Sequence, residues 1–505
     1  MITQPAQHQP LEPVEKFTGE LSTTFREYIL LPRCTRSETD IRHVSMQTRI
    51  SHDMALQIPL MSAAMEAVSG ATIATALARH GGMAVLPAGN VPLEHQLEEL
   101  KAVKRFKAGF VESVITVTPD TPLHQLLEME TRHGFSTFPV VDQQGKLVGL
   151  ITEKKYHPSR DADLVVRERM IPLEKLVVGR HGISLSEAND RIFESGIGVL
   201  PIIDEEGKLR SVVFFRDLKH HHLYPDALVD EHKRLRVAAA ISTHPEDRER
   251  ARLLVDCGAD VLVVDASDGY SEYMRDTLVD VKKLGVPVVA GNVVDRDGFR
   301  FLAENGADAV KVGIGSGSIC TTRRVKAIGR GQATAVSVLA RAREEYLAES
   351  GRYVPIISDG GIESTGDMAV ALATGADVLM MGKYFAGFEE SPTQLLTKRL
   401  PVLFSGNMTE VEVNVKPYWG EASPRAKNVR RYQQDDPRAF VIEGEEGYVL
   451  YKGSLHKHLP RDLRALQGTL SSCGCRNLRE FYRYVRLERQ SAGSQQEGGT
   501  NIFRM

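Results

Sequence analysis

Cysteine is scarce in this chain and unevenly placed. Five occur among 505 residues, Cys34, Cys257, Cys320, Cys473 and Cys475. That is an odd number without the spacing of a disulfide framework, which fits a reducing compartment. Cys473 and Cys475 stand too close together for an ordinary zinc knuckle. An excess of one charge is also missing: 63 Lys and Arg against 66 Asp and Glu leave a net charge of -3. No basic footprint therefore marks nucleic acid as a main partner. Runs of about 18 apolar residues are absent, which excludes a membrane-spanning helix. The opening MITQPAQHQPLEPVEKF lacks the charged-then-apolar plan of a secretory signal. These absences predict a cytoplasmic protein; the final FRM is only loosely similar to a peroxisomal tail.

What is present is a long alternation. With 42% hydrophobic residues the chain can bury a large core, and its length favours more than one domain. Short β-branched runs alternate with Ala/Leu/Glu/Lys segments, and eight runs read as buried strands ending in IPLMSAAM, GGMAVLP, RVAAAIS, VLVVDAS, VPVVAGN, AVKVGIG, VPIISDGG and DVLMMGK. Eight strands alternating with helices predict the α/β class and a (β/α)8 barrel, whose chemistry sits at the C-terminal strand ends. A doubly wound open sheet is the competing arrangement.

The alternation breaks between about 108 and 232, where FSTFPVVDQQGKLVGLIT returns as IGVLPIIDEEGKLRSVVF. Each copy carries a Pro, a β-branched run, a Gly-Lys turn and another strand, so two β-α units are expected to pack as a pair. They resemble paired CBS motifs, a Bateman module, which implies a site for an adenine nucleotide; a duplicated unit that serves assembly alone is the alternative. The expected organisation is residues 1–107 and 233–505 as the barrel, with 108–232 inserted between its second and third strands. A second lapse, at about 400–460, is charged, Pro- and Gly-containing and aromatic, with Tyr418, Trp419, Phe440 and Tyr448. A structureless loop of this length is a lid or disorder, and the aromatics favour a mobile flap that docks.

The stretch KVGIGSGSICTTRR follows the sixth predicted strand and carries Cys320. A flexible surface loop or a small packed Cys is the ordinary explanation. Its Gly313, Gly315 and Gly317 permit close backbone approach and a nest for an anion or ion. Asp359 to Gly361 and Met380 to Lys383 end strands seven and eight, the usual barrel positions for phosphate. A phosphate disfavours a neighbouring thiolate, so Arg323 and Arg324 are candidates to offset it.

GIGSGSICTTR and GRGQATAV, together with SAAM, VDASDGYS, AGNVV, SDGGI and YKGSL, resemble the IMP dehydrogenase/GMP reductase family in the same order along nearly the whole chain. The resemblance implies a purine nucleotide (IMP, released as XMP) held by its phosphate, with Cys320 attacking C2 of the base and Thr322 beside it. It places Ser318, Gly361, Gly382 and Tyr418 at the phosphate and Asp359 at the ribose. Asp265, Ser267, Asn292, Gly313 and Gly315 fall on the NAD side. Arg431 and Tyr432 correspond to a flap pair that activates water, and Glu443 to a flap glutamate; a solvated Arg430 and Arg431 pair is the plain alternative. Gly315, Gly317 and Cys320 would hold K+ together with Glu497, Gly498 and Gly499 of another subunit, in a homotetramer, although a terminal Gly pair is by itself ordinary disorder. Three departures stand out: Lys383 in place of a Ser, where it either reaches the phosphate or points to solvent, YWGEAS in place of YRGMGS, and AMEAVSG in place of AMDTVTE. Two activities fit, oxidation of IMP with NAD and reduction of GMP with NADPH. The flap favours the first, since Pro424 stands where the reductive branch has a Glu. A weakly catalytic adenine-nucleotide sensor is the third reading.

Overall fold

The computed structural model describes residues 18–499 apart from 107–109, 112–113, 134–135, 158–159, 162, 197, 215–223, 405–406 and 428–440. Strands Leu60–Ser62, Met83–Leu86, Ala238–Ile241, Val261–Asp265, Val288–Val293, Ala309–Val312, Ile356–Asp359 and Val378–Met381 close into one barrel. Neighbouring strands run parallel throughout, and Leu379 beside Leu60 closes the ring. All eight are strands read from the sequence. Alternation along each one sorts its side chains. Val261, Val263, Val289, Ile357 and Met380 fill the barrel interior, while Leu262, Val264, Val288 and Leu379 pack outward with helix residues such as Leu254 and Leu278. Burial on both faces explains why the strands read as unbroken apolar runs.

Between the second and third strands lie two copies of one unit. Helix Leu123–His133 precedes hairpin Thr137–Val141 and Leu147–Thr152; helix Leu185–Ser195 precedes hairpin Val199–Ile203 and Leu209–Phe214. Each element of the second copy starts 62 residues after its counterpart, and both hairpins shift register at the same place, Val140/Val141 and Ile202/Ile203. The hairpin turns meet each other: Leu147 N–H donates to Gly207 C=O (3.0 Å) and Leu209 N–H to Gly145 C=O (3.2 Å). These reciprocal bonds relate the copies by a local two-fold axis.

The segment expected to be a long loop contains a sheet. Strands Leu396–Phe404, Asn407–Trp419 and Glu446–Leu450 form an antiparallel three-stranded sheet, and helix Leu455–Ser472 follows. Charged residues on both exposed faces of LTKRLPVLF and NMTEVEVNVKPYW hid the strand pattern. Tyr418 and Trp419 are buried at the inner end of this sheet, whereas Tyr448 is 54% exposed; Phe440 lies outside the described residues.

Candidate active site

The loop after the sixth strand is built on backbone that only glycine takes easily. Gly313 has φ 141° and Gly315 φ 74°; a Cβ at Gly313 would lie 2.3 Å from the Asp359 carbonyl. Ser316 Oγ donates to that carbonyl at 2.8 Å, and Cys320 N–H closes a turn on Gly317 C=O at 3.1 Å. This folding sets the half-buried Cys320 at the barrel mouth, with its Sγ 3.1 Å from Thr322 Oγ1. Thr322 opens a short helix, Thr322–Lys326, and its hydroxyl donates to Glu443 Oε2 at 2.9 Å.

Glu443 arrives from the flap. Its carbonyl accepts Thr321 N–H at 2.9 Å, and Glu445 N–H donates to Ile319 C=O at 2.9 Å, so this strand of the flap pairs directly with the thiol loop. The Glu443 carboxylate, 7% exposed, is neutralised by Lys326 Nζ at 2.5 Å. Lys326 was not singled out from the sequence. It comes directly after CTTRRV, one helical turn beyond Thr322, and only the fold brings it to residue 443.

Behind the thiol, Lys311 on the sixth strand is 3% exposed and bonds Asp265 Oδ1 at 2.6 Å and Asp359 Oδ2 at 2.9 Å. Burial works against its charge, and the two carboxylates more than restore it, so Lys311 stays above its usual range. Asn292 Nδ2 donates to Gly313 C=O (2.6 Å) and Asp359 Oδ2 (3.0 Å). Its Oδ1 is buried without a partner, as is Gln332 Oε1. Sequence reading found Asp265, Asn292 and Asp359 and missed Lys311; the signal is a lysine inside the otherwise apolar run AVKV.

At strands seven and eight, Gly360 and Gly361 have φ 84° and 73°, and a Cβ at Gly382 would sit 2.8 Å from Tyr418 Oη. The Tyr418 hydroxyl meets Ser318. Burial pushes the phenol up to about 12, the Ser318 contact opposing the shift and the Asp359 charge adding to it. Tyr418 thus brings Ser318 and Gly382 together, while Gly361 lies against Gln332 and Ser316. Lys383 is exposed and its ammonium pairs with Glu363 at 3.0 Å. The arginines expected to support the thiolate are engaged elsewhere: Arg323 packs on Gly315 and Gly329 and donates to Arg330 C=O, and Arg324 pairs with Glu445 at 2.8 Å. Ser267 is exposed on the loop after the fourth strand. Glu497 ends helix Ala492–Glu497, and the N–H groups of Gly498 and Gly499 close on Ser494 and Gln496. Arg431 and Tyr432 lie outside the described residues. Among the described residues no helix is long and apolar enough to cross a membrane.

Comparison with known proteins matches residues 22–501 to the IMP dehydrogenase / GMP reductase domain. The chain is 40% identical to inosine-5'-monophosphate dehydrogenase of Tritrichomonas foetus, over 96% of this chain and 97% of that relative. It is 37% identical to the Aquifex aeolicus enzyme of the same name, over 94% of each. Among solved structures, a cysteine-to-alanine variant of GMP reductase from Trypanosoma brucei in complex with guanosine 5'-monophosphate superposes with a TM-score of 0.85 at 28% identity. It covers 96% of this chain and 99% of that one.

Proposed function

This chain belongs to the IMP dehydrogenase/GMP reductase family, and from that premise we propose that it oxidises IMP to XMP with NAD and water, in guanine nucleotide synthesis. The observation that carries the reading is the chain of contacts from Cys320 through Thr322 to Glu443 (3.1 and 2.9 Å). C2 of hypoxanthine bears hydrogen and no leaving group. The Cys320 thiolate adds there, the C2 hydrogen leaves as hydride, and a thioimidate remains. Water then attacks the same carbon, the C–S bond breaks, and XMP is released. NAD, when bound, supplies the hydride acceptor.

The residues divide between these tasks. Ser318, Gly361, Gly382 and Tyr418 hold the phosphate, and Asp359, fixed by Lys311, takes the ribose hydroxyls. Asp265 and Asn292 line the NAD side, where the orphaned Asn292 Oδ1 is an acceptor suited to a carboxamide N–H; Ser267, Gly313 and Gly315 border it. Thr322 and Glu443 receive the proton of the attacking water, a role assigned also to Arg431 and Tyr432. For K+, the loop from Gly315 to Cys320 would offer the hard carbonyl oxygens of Gly315, Gly317 and Cys320. The fit is to an ion whose remaining ligands, Glu497, Gly498 and Gly499, come from a second copy, within a homotetramer. The duplicated unit at 108–232 is read as a Bateman module that takes an adenine nucleotide of the ATP type.

The reductive reaction, GMP and NADPH to IMP and ammonia, is the second reading, favoured by the reductase relatives in structure. Absorbance of the reduced nicotinamide separates the two. A rise with IMP and NAD in potassium supports the oxidative reading; a fall with GMP and NADPH, and no rise with IMP, overturns it.

A further inference from the structure

The turn Gly420–Ser423 joins the flap sheet to the barrel mouth. Gly420 N–H donates to Glu445 C=O (3.2 Å), and Ala422 C=O accepts Glu443 N–H (3.2 Å). This turn therefore sets the backbone of the residue that receives the Thr322 hydroxyl. Its own anchor is Glu421. Oε1 accepts Glu66 N–H, from the loop after strand one, at 2.8 Å. Oε2 lies against the loop after strand two, where a Cβ at Gly89 would stand 2.3 Å from it. That oxygen is buried and has no hydrogen-bond partner.

We propose that Glu421 is a positioning residue: its carboxyl, carrying a proton, pins the Gly420–Ser423 turn to the loops after strands one and two and so holds Glu443 at Thr322. Among the described residues no cation touches it. Facing it are the carboxylates of Glu66, from the loop after strand one, and Asp265, from strand four. Arg425 of the short helix Pro424–Lys427 and His95 act on Glu66, and Lys311 is taken up by Asp265 and Asp359. Burial pushes the Glu421 carboxyl up to about 8; the Glu66 N–H opposes the shift, and the Glu66 and Asp265 charges add to it. Ionisation places an unpaired charge in a dry site beside two others, and the pin loosens. YWGEAS, with Glu in place of the Met of YRGMGS, is the sequence trace of this device.

The inference rests on the proposed oxidation, and its test has one readout through turnover and one without it. Glu421→Gln keeps the shape and the Oε1 acceptor in a form that cannot ionise. The wild type is expected to lose kcat as pH rises through about 8; Glu421→Gln is expected to keep its neutral-pH rate within about threefold and lose that alkaline limb, while Glu421→Ala falls by about 10–100-fold at every pH. Independently of activity, the thermal midpoint of the wild type should drop relative to Glu421→Gln as pH rises from about 5 to about 8 and run parallel to it above, because over that range the folded state keeps a proton that the unfolded chain has already lost. An alkaline limb retained in Glu421→Gln, or parallel midpoints across that range, overturns the inference. An inactive wild type with the expected midpoint divergence overturns the oxidation and leaves the protonated pin standing.

Discussion

Two buried cations stand at opposite ends of the barrel and do opposite things. At the N-terminal end, Arg343 of helix Gln332–Ser350 bonds Asp377 Oδ2 at 2.6 Å and Gly375 C=O at 2.9 Å. The other Asp377 oxygen accepts the Tyr353 hydroxyl at 2.6 Å, and Ile356 N–H completes the set at 2.8 Å. Arg343 also lies over the rings of Tyr353 and Tyr482. Every strong group there has a partner, as suits a seam that locks strands seven and eight. At the C-terminal end, Lys311 faces two carboxylates with a single charge, and Asn292 Oδ1 and Gln332 Oε1 are left without partners. Buried polar atoms in native proteins are nearly always satisfied. A mouth that leaves two such atoms bare is built to be completed by something else, whereas the closed end serves stability.

The largest effect should fall on the open end. Cys320→Ala is expected to lower kcat by at least about 10^4-fold with an unchanged thermal midpoint; steady-state rates and melting of one preparation check both, and a variant that keeps full turnover sinks the covalent route. Next comes the closed end, where Asp377→Ala strands a buried guanidinium. It should cost about 3–5 kcal/mol in denaturant unfolding while kcat at low temperature stays within a few-fold. A large loss of kcat with unchanged stability would erase the contrast between the two ends.

Glu443→Gln probes the step between them. With its charge removed and the Lys326 pair broken, turnover should fall by about 10^2-fold, while the rapid first formation of NADH survives in stopped-flow traces. Loss of that first phase would assign Glu443 to hydride transfer.

A milder effect lies away from both ends. His80 Nε2 is 3.0 Å from His456 Nδ1, which also meets the Tyr224 hydroxyl at 3.0 Å. Burial, then the positive neighbours His456 and Arg79, push His80 down to about 4. The unfolded chain takes up this proton first as pH falls, so the His80 contribution is full above pH 6.5 and is lost towards pH 4. It is on the order of 2 kcal/mol after allowance for partial exposure. His80→Gln should flatten that part of the stability profile, and an unchanged profile would remove His80 as its source.

The parts legible in the sequence share one property: their chemistry is local. VLVVDAS and AVKVGIG announce strands because burial on both faces demands continuous apolar runs, and GIGSGSICTT announces a tight loop because its Gly313 and Gly315 must take positive φ. The duplicated unit was legible as a repeat, down to a register shift that recurs 62 residues later. The flap sheet was not, since half-exposed strands with charged faces carry little periodicity in a segment dense with Lys and Glu. Arg323 and Arg324 misled for another reason: nearness in sequence to Cys320 says nothing about where a long side chain finds its partner.

By itself the sequence determined the eight-strand barrel, the position of its insertion, the thiol loop and the glycines around it, because hydrophobic period and backbone permission act over a few residues. Tertiary structure alone decided that Lys326 and Thr322 meet Glu443 across more than a hundred residues, that Lys311 serves Asp265 and Asp359, and that Glu421 is sealed between two loops. Those outcomes depend on which charges share a dry space, and desolvation and pairing are set by three-dimensional neighbours rather than by neighbours along the chain.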